Sequence, residues 1–338
     1  MKTNEPRKIF AVPYNGTSEI VKRVIDAGLD EHTYEFYGTD NAFASGRSNT
    51  QTGYPTPTDF ESDVKMMVGK DMKFNYLLNS LNASHYFGNL DFIKDKLKYL
   101  SDIGVDVLTI THPFLARMIK SNEFSFDIRT SLNNYVNSVD QAKMFLDLGY
   151  NSLIISEDEL RNLSLMRKII EECAVPIEVI INNNCVRKCI NRFAHQSMVG
   201  DPNVEAERLR KFQKMMFAQC YGTFHKNFNE FMKSSWIRPE DIPRYLDIGV
   251  TIFKLSGRTF PTDDIMRCLT IYASRSYSGN VLDYMIKKPF LTKNTLLKKL
   301  EAKYVEPYFE HIWGNECQGD ACPECQAIAD RIAEHINE

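Results

Sequence analysis

The sequence lacks any apolar run that approaches the roughly eighteen residues of a membrane-spanning helix. Its first apolar stretch, residues 9–13, is also shorter than the hydrophobic core of a secretory signal peptide. These two absences predict a protein that does not enter the membrane and that stays in the cytoplasm. Thiols are reduced in that compartment, so the eight cysteines are not expected to form a disulfide framework.

An excess of either charge is also missing, because 41 Lys and Arg residues oppose 44 Asp and Glu residues, for a net charge of −3. The lack of a basic excess argues against nucleic acid as a partner. Two hydrolase motifs, Gly-x-Ser-x-Gly and His-Glu-x-x-His, do not occur. A single glycine, Gly16, follows the first predicted strand, where a dinucleotide-binding fold has a glycine-rich turn. These absences disfavour an open nucleotide-binding sheet and the hydrolases that those motifs mark.

Short β-branched apolar runs alternate with amphipathic segments along most of the chain, and several of those segments end at a glycine. Eight such strands with helices between them are typical of a (β/α)8 TIM-type barrel, a fold of the α/β class. A doubly wound open sheet is the alternative. The predicted strands are Lys8–Tyr14, Thr33–Tyr37, Lys73–Leu78, Val105–Thr111, Phe126–Thr130, Ser152–Ile155, Ile177–Ile181 and Gly249–Leu255.

Two connections are longer than a strand-to-helix loop requires. The polar segment Gly38–Thr56 follows the second strand, and we expect it to cover the mouth of the barrel. Residues 182–238, between the seventh and eighth strands, are predicted to be an inserted cysteine-bearing loop. Residues 1–261 then form the barrel with its insertion, and residues 262–338 form a helical C-terminal extension with a cysteine tail.

Three cysteines fall in the inserted segment, just past the end of a strand, where α/β proteins usually build active sites: Cys185, Cys189 and Cys220. Thiolates are soft ligands that suit iron–sulfur clusters and zinc. The grouping therefore predicts a metal or iron–sulfur site, and the alternative is buried thiols that act as small hydrophobic side chains. Cys173 and Cys268 lie in apolar periodic runs and are predicted to belong to the core.

Three further cysteines lie close together near the C-terminus: Cys317, Cys322 and Cys325. Their spacing is that of a metal knuckle. One of them could complete a four-cysteine site with the inserted segment. Alternatively, the three bind a second metal together with His311, carry out redox chemistry, or bear no ligand at all.

Other side chains near strand ends are candidates for catalysis and substrate binding. His195 and Arg192 follow the cysteine pair; an imidazole exchanges protons near neutral pH, and a guanidinium holds a carboxylate through its planar fork. His112 follows the fourth strand, on the face of a barrel that carries catalytic residues. A supporting role around the site is the alternative for all three.

Glu178 lies among apolar neighbours within the seventh strand and is a candidate catalytic carboxylate. A carboxylate buried in a barrel must be paired or neutral, so Lys254 or Arg129 is its expected partner. Lys254 and Arg258 are also candidates for binding an anionic substrate, with structural pairing as the alternative.

Three segments together carry a family resemblance: Ile128-Arg-Thr-Ser-Leu-Asn-Asn-Tyr-Val-Asn-Ser-Val, Ile177-Glu-Val-Ile-Ile-Asn-Asn-Asn-Cys185 and Ile252-Phe-Lys-Leu-Ser-Gly-Arg258. In order and spacing they resemble the collagenase-like peptidase family U32. The resemblance implies a TIM-type barrel and a [4Fe–4S] cluster held by four cysteines. For several members it also implies oxygen-independent hydroxylation, of ubiquinone precursors or RNA bases, with prephenate implicated as a hydroxyl source.

The chain departs from the family pattern in three ways. Its two strand-end cysteines are closer together than in the common motif. Asn184 stands in place of the usual glycine, and Ser256 in place of the acidic residue before Gly-Arg. A fourth cysteine near Asp241 is absent. These departures bear on the substrate class more than on cluster binding.

The residues and the resemblance together favour an iron–sulfur barrel enzyme. Its expected reaction is an oxygen-independent, hydroxylation-like modification of a small or peptide-like substrate that bears a carboxylate, with prephenate as a co-substrate by resemblance. The alternatives are a family-type peptidase or hydrolase, and a non-catalytic iron–sulfur subunit that docks to a protein partner. Zinc is the alternative to the cluster.

Overall fold

The computed structural model describes residues 8–40, 42–47, 57–88, 90–285, 291–315 and 322–337. Within these ranges eight parallel strands form a nearly closed barrel with helices between them, which confirms the predicted (β/α)8 fold. The strands are β1 (Phe10–Pro13), β2 (Thr33–Gly38), β3 (Lys73–Leu78), β4 (Val107–Ile110), β5 (Asp127–Thr130), β6 (Leu153–Ile154), β7 (Ile177–Ile180) and β8 (Ile252–Lys254).

The strands follow one another around the barrel in the order β5, β4, β3, β2, β1, β8, β7 and β6. The first and last strands are therefore neighbours, and Ala11 of β1 pairs with Lys254 of β8. Between β5 and β6 the barrel is joined by single bridges, such as the one from Arg129 to Ser152. The eight predicted strands are all present, with shorter ends than the apolar runs suggested.

Helices connect the strands, and each buries one apolar face; α1, for example, buries Ile20, Val21 and Val24. The helices are α1 (Ser18–Asp26), α2 (Pro57–Val68), α3 (Ser84–Phe87), α4 (Leu90–Asp102), α5 (Pro113–Ser121), α6 (Val139–Asp147), α7 (Leu163–Cys173), α8 (Arg192–Gly200), α9 (Ala206–Lys226), α10 (Phe228–Met232), α11 (Ile242–Asp247), α12 (Thr262–Ser274), α13 (Thr295–Lys299), α14 (Ala302–Gly314) and α15 (Pro323–Asn337).

The structure differs from the sequence-based expectation in two helical regions. Helix α5 was not predicted; its Pro113 occupies the first helical turn, where a proline costs no hydrogen bond. The inserted segment 182–238 was expected to be a loop but is largely helical. Helix α9 alone has 21 residues and is rich in Lys, Arg, Gln, Met and Ala, which have high helix propensity.

Glycines end three helices at the predicted positions. Gly104, Gly149 and Gly249 have φ angles of +96°, +96° and +102°. A Cβ atom on Gly249 would also lie 2.8 Å from Ile170 Cγ2. Both the backbone conformation and the available space therefore require glycine at residue 249.

The C-terminal helices pack against the inserted segment. Tyr308 on α14 donates a hydrogen bond to Asn229 Oδ1 at 2.9 Å, and Asn229 Nδ2 donates to Gln326 Oε1 on α15 at 3.1 Å. The Trp236 ring lies 4.7 Å from the Phe309 ring between centroids. One apolar core thus extends from the barrel into the C-terminal helices, and the domain boundary at residue 261 stays a prediction.

Across the described ranges, no helix combines the length and the apolar character that crossing a membrane would need.

Candidate active site at the barrel mouth

Charged side chains from strands on opposite sides of the barrel meet in its interior. Arg129 on β5 donates to Glu35 Oε1 on β2 at 2.6 Å and also contacts Glu178 on β7. Lys254 Nζ donates to Glu178 Oε1 at 2.9 Å. Burial alone would raise the pKa of Glu178, but the positive charges of Lys254 and Arg129 outweigh it and hold that pKa below its usual value. The predicted pairing of Glu178 is confirmed, with both partners.

A cavity of about 580 Å³ opens at the carboxyl ends of the strands, which is the catalytic end of TIM-type barrels. Its walls combine strand ends with residues 46–47 and with side chains of α8 and α9. The volume lies in the range of small-molecule sites. Four predicted site residues line it, and one further cation, Arg47, joins them: Cys185, His195, Lys254, Arg258 and Arg47.

Two arginines make one wall of this cavity positive. Arg258 is 5% exposed; its Nη2 donates to Ser45 Oγ at 2.8 Å, whereas its buried Nη1 has no hydrogen-bond partner. Arg47 donates to the Gly46 carbonyl and to Gln196 Oε1 on α8. No carboxylate of the described residues forms an ion pair with either arginine, so the wall is suited to an anion.

His195 lies where two cavities adjoin. It lines the large cavity together with Cys185, and it lines a neighbouring cavity of about 180 Å³ together with Cys189 and Cys220. Its ring contacts Phe217 at 6.2 Å between centroids. The structure therefore brings the three cysteines of the inserted segment and this histidine into one region.

An amide orients the first of these cysteines. Asn183 Nδ2 lies 3.3 Å from Cys185 Sγ and 2.5 Å from Glu157 Oε2. The side-chain amide is a donor to both groups, so it links Cys185 to an acidic pair that follows β6.

Arg192 is held by that acidic pair. Its guanidinium lies 2.6 Å from Glu157 Oε1 and 2.8 Å from Asp158 Oδ1, and it stacks 4.9 Å from the Tyr135 ring centroid. Arg192 is 8% exposed and is not among the described residues that line the large cavity. These contacts anchor the start of α8, and the predicted contact of Arg192 with a substrate carboxylate stays a prediction.

His112 lies away from the large cavity, in an aromatic cluster. Its Nε2 is 3.0 Å from the Ser80 carbonyl oxygen, and the rings of Tyr86 and Phe87 lie 5.7 and 6.3 Å away between centroids. Burial lowers the pKa of His112, which favours a neutral ring at pH 7. As the residue before α5, it packs the start of that helix and does not face the cavity.

Two of the tail cysteines, Cys322 and Cys325, lie at a third site. Cys322 and Cys325 line a cavity of about 20 Å³ beside Glu157 and Asp158, not the two cavities at His195. The predicted ligand Cys317 lies outside the described residues. So do residues 41 and 48–56 of the segment that was expected to cover the mouth, although its residues 46–47 do line the cavity.

The sequence model of peptidase family U32 matches residues 16–313. The chain belongs to this family. A relative described as an uncharacterized protease of Methanocaldococcus jannaschii is 23% identical over 290 residues, which are 82% of this chain and 85% of the relative. The solved structure of the U32 peptidase Mk0906 has a TM-score of 0.53 at 14% identity and covers 76% of this chain and 95% of that chain, which shows a shared fold.

The donors in this U32 protein can be compared with the cluster that the resemblance implies. Cys189 and Cys220 line a cavity of about 180 Å³, which is several times the roughly 30 Å³ that one water molecule occupies. Cys185 lines the larger cavity, and His195 lines both. Among the described residues no fourth cysteine lines either cavity. Within the described ranges no three of these donors have ligand atoms within 4.8 Å of one another, which is about the spacing that the ligands of a single tetrahedral zinc ion need. The cluster stays a prediction.

Two residues of the site in this U32 protein escaped sequence reasoning. Glu35 is a charged residue within an apolar strand, the same signal that identified Glu178, and it could have been found. Arg47 is one cation in a polar segment, and only the position of that segment after β2 linked it to the mouth. Its contact with Gln196, across 149 positions, has no local signal.

Proposed function

We propose that this U32 protein is an enzyme that binds a carboxylate-bearing small or peptide-like substrate at the barrel mouth and modifies it without molecular oxygen, with an iron–sulfur cluster on the inserted segment. The positive wall of Arg258 and Arg47 is the observation that supports it, because a buried guanidinium nitrogen lacks a partner there. Guanidinium groups hold carboxylates through two parallel hydrogen bonds, which are strongest when water is excluded.

Each lining group has a role in this proposal. Arg258, fixed by Ser45, receives the substrate carboxylate, and Arg47 completes the clamp from the rim. Lys254, anchored by Glu178, presents its ammonium from the floor of the cavity. His195 exchanges protons with the bound substrate, since it is the imidazole on the cavity wall.

Cys185, Cys189 and Cys220 are the proposed cluster ligands. A bound cluster of this type supplies one-electron redox chemistry, tuned by its surroundings. Asn183 holds the sulfur of Cys185 at the cavity wall, where it would orient that sulfur toward a bound cluster. Prephenate, the hydroxyl source that the family resemblance suggests, carries carboxylates and would bind at the same positive wall.

Two measurements test this function. Iron and sulfide analysis after anaerobic purification tests the cluster, and calorimetric titration with prephenate tests the clamp. Arg258→Gln should weaken binding about tenfold or more, because a hydrogen bond to a charged group contributes roughly 1.5–3 kcal/mol. Arg208→Gln, an exposed arginine on α9, is the matched control and should bind as the wild type does. Equal affinities in both variants would contradict the clamp, and iron-free wild-type protein would contradict the cluster.

A peptidase is the second candidate function. Cys185 and His195 line the same cavity, as a cysteine nucleophile and its base must, and both relatives carry protease or peptidase names. A thiolate that ligates a cluster cannot also be a nucleophile, so the two candidates exclude each other at Cys185. Iron-free protein that cleaves peptides, and that loses this activity in Cys185→Ser, would favour the peptidase.

A further inference from the structure

The C-terminal helices carry a second group of metal-ligating side chains. His311 on α14, Cys322 just before α15 and Cys325 in its first turn offer three ligand atoms that all lie within 4.8 Å of one another. His311 Nε2 is 3.3 Å from Cys322 Sγ. Among the described residues this is the one group of three His, Cys, Asp or Glu side chains with such spacing. Tetrahedral zinc, with Zn–S distances near 2.3 Å, needs its ligands about this close.

The ring of His311 is oriented with Nε2 toward the sulfur of Cys322. Its Nδ1 accepts a hydrogen bond from Asn315 Nδ2 at 3.0 Å and lies 3.8 Å from Glu324 Oε2. Metal-binding histidines usually direct the N–H of their second nitrogen to a carboxylate or another oxygen. When Nε2 binds an ion, Nδ1 carries the proton, and the Glu324 carboxylate is the nearby group that can accept it.

One of the two thiols is shielded from solvent, since Cys325 is 3% exposed. Cysteine binds metal ions through its thiolate sulfur, and the sulfur of Cys322 lies 3.3 Å from His311 Nε2.

The adjoining cavity separates this group from the barrel mouth. At about 20 Å³ it has room for roughly one water molecule and not for a substrate. A water there can occupy the fourth position of a tetrahedral ion. Three protein ligands and a water are the usual pattern of a catalytic zinc ion, so the structural task rests on the lack of room for a substrate beside the ion.

We propose that His311, Cys322 and Cys325 bind one Zn²⁺ ion, which fastens α15 to α14 and both helices to the inserted segment. Two thiolates and one imidazole match the ligand preference of zinc. Gln326, the residue after Cys325, accepts a hydrogen bond from Asn229 on α10 at 3.1 Å, so an ion at Cys325 also holds the contact with the insertion. The proposal does not depend on Cys317.

Metal analysis of the full chain, with Co²⁺ as a spectroscopic substitute, tests this site. The wild type should contain about one zinc per chain, with Zn–S distances near 2.3 Å and Zn–N near 2.0 Å by X-ray absorption. Co²⁺ exchange should produce thiolate charge-transfer absorption. His311→Ala and Cys322→Ser should each weaken zinc binding about a hundredfold or more, because loss of an outer-shell partner alone costs roughly 10- to 100-fold.

Two cysteine variants serve as controls. Cys173→Ser changes a half-buried cysteine on α7 and should keep the zinc. Cys185→Ser should also keep it, which separates this site from the proposed cluster. Circular dichroism checks folding, and the partly exposed Cys322 and His311 make their variants less disruptive than Cys325→Ser. Zinc absent from the wild type in excess Zn²⁺, zinc retained in both tail variants, or zinc lost in Cys185→Ser would each overturn the proposal.

Discussion

Lys254 Nζ lies 2.9 Å from Glu178 Oε1, at the boundary between the barrel interior and the mouth cavity. Glu178 is fully enclosed, whereas Lys254 reaches the cavity and lies 4.2 Å from the Tyr37 ring centroid. The buried carboxylate therefore fixes a cation of the cavity floor. A change at Glu178 should alter both the stability of the barrel and the position of Lys254.

Glu178→Gln should lower the free energy of unfolding by about 3–5 kcal/mol at pH 7, because it leaves Lys254 and Arg129 short of a buried negative charge. The pKa of Glu178 is lowered in the folded protein. Its charge therefore stabilises the fold above the ordinary Glu pKa of about 4.3, and this contribution is lost as the pH falls through the lower folded value.

Urea unfolding at several pH values measures this effect. The difference between the wild type and Glu178→Gln should shrink as the solution becomes acidic. Glu172→Gln, which alters an exposed pair with Lys143, is the control and should unfold like the wild type at every pH. A difference that stays constant from neutral to acidic pH would argue against a charged Glu178.

Gly200→Ala should disturb the cavity wall from a distance. A Cβ atom at Gly200, the last residue of α8, would lie 2.9 Å from the Ser45 carbonyl oxygen. Ser45 holds Arg258, so we expect about tenfold weaker prephenate binding and a loss of about 1–3 kcal/mol in stability. Gly222→Ala on α9 is the matched control, since its Cβ would meet nothing within 4 Å. If calorimetry finds equal prephenate affinity in the two variants, Ser45 does not position Arg258 for binding.

The cysteines of the inserted segment should differ from the other cysteines in iron retention. Cys185→Ala, Cys189→Ala and Cys220→Ala should each lose bound iron, because their sulfurs face the two cavities at His195. Cys173→Ala and Cys268→Ala should keep it, since these thiols pack in the apolar core. Colour and iron content of anaerobically purified variants provide the measurement, and a full iron complement in Cys220→Ala would refute this ligand assignment.

Arg192→Met should act on stability and not on substrate affinity. The change leaves Glu157 and Asp158 without their shared guanidinium in a buried setting, at a cost of about 3–5 kcal/mol. Thermal unfolding should show this loss, while the prephenate affinity of the folded fraction stays near the wild-type value. Arg258→Gln should show the opposite pattern. Weak binding in Arg192→Met with wild-type stability would instead support Arg192 as a ligand of the substrate carboxylate.

The fold was largely predictable because strand and helix patterns are local. The β-branched strand Ile177–Ile180 and the glycine before β8 can each be recognised from a few consecutive residues. Helix α5 escaped because its start, His112-Pro113, resembles a turn. Helix α9 was not predicted because only two of its residues, Leu209 and Phe224, are buried, so its sequence lacks a clear apolar stripe.

The contacts of the site were predictable only where a buried charged side chain requires a partner of opposite charge. Buried Glu178 had to be paired, and its partners followed from that requirement. The orientation of the Arg192 side chain is set by an acidic pair that ends 34 positions earlier in the chain. The orientation of the Arg47 side chain is set by Gln196 in a distant helix. Contacts of that range arise from the packing of the whole barrel and leave no periodic trace.

The neighbouring positions of β1 and β8 have a consequence for how the chain matures. Ser45 and Arg258, which meet in the cavity wall, are separated by 213 positions, and the strand that carries Lys254 must insert between β1 and β7. A nascent chain that ends before residue 252 lacks both the last strand of the barrel, β8, and the Arg258 half of the anion clamp. Binding competence should therefore emerge in a single late step of synthesis and folding, as expected for a topology dominated by long-range contacts.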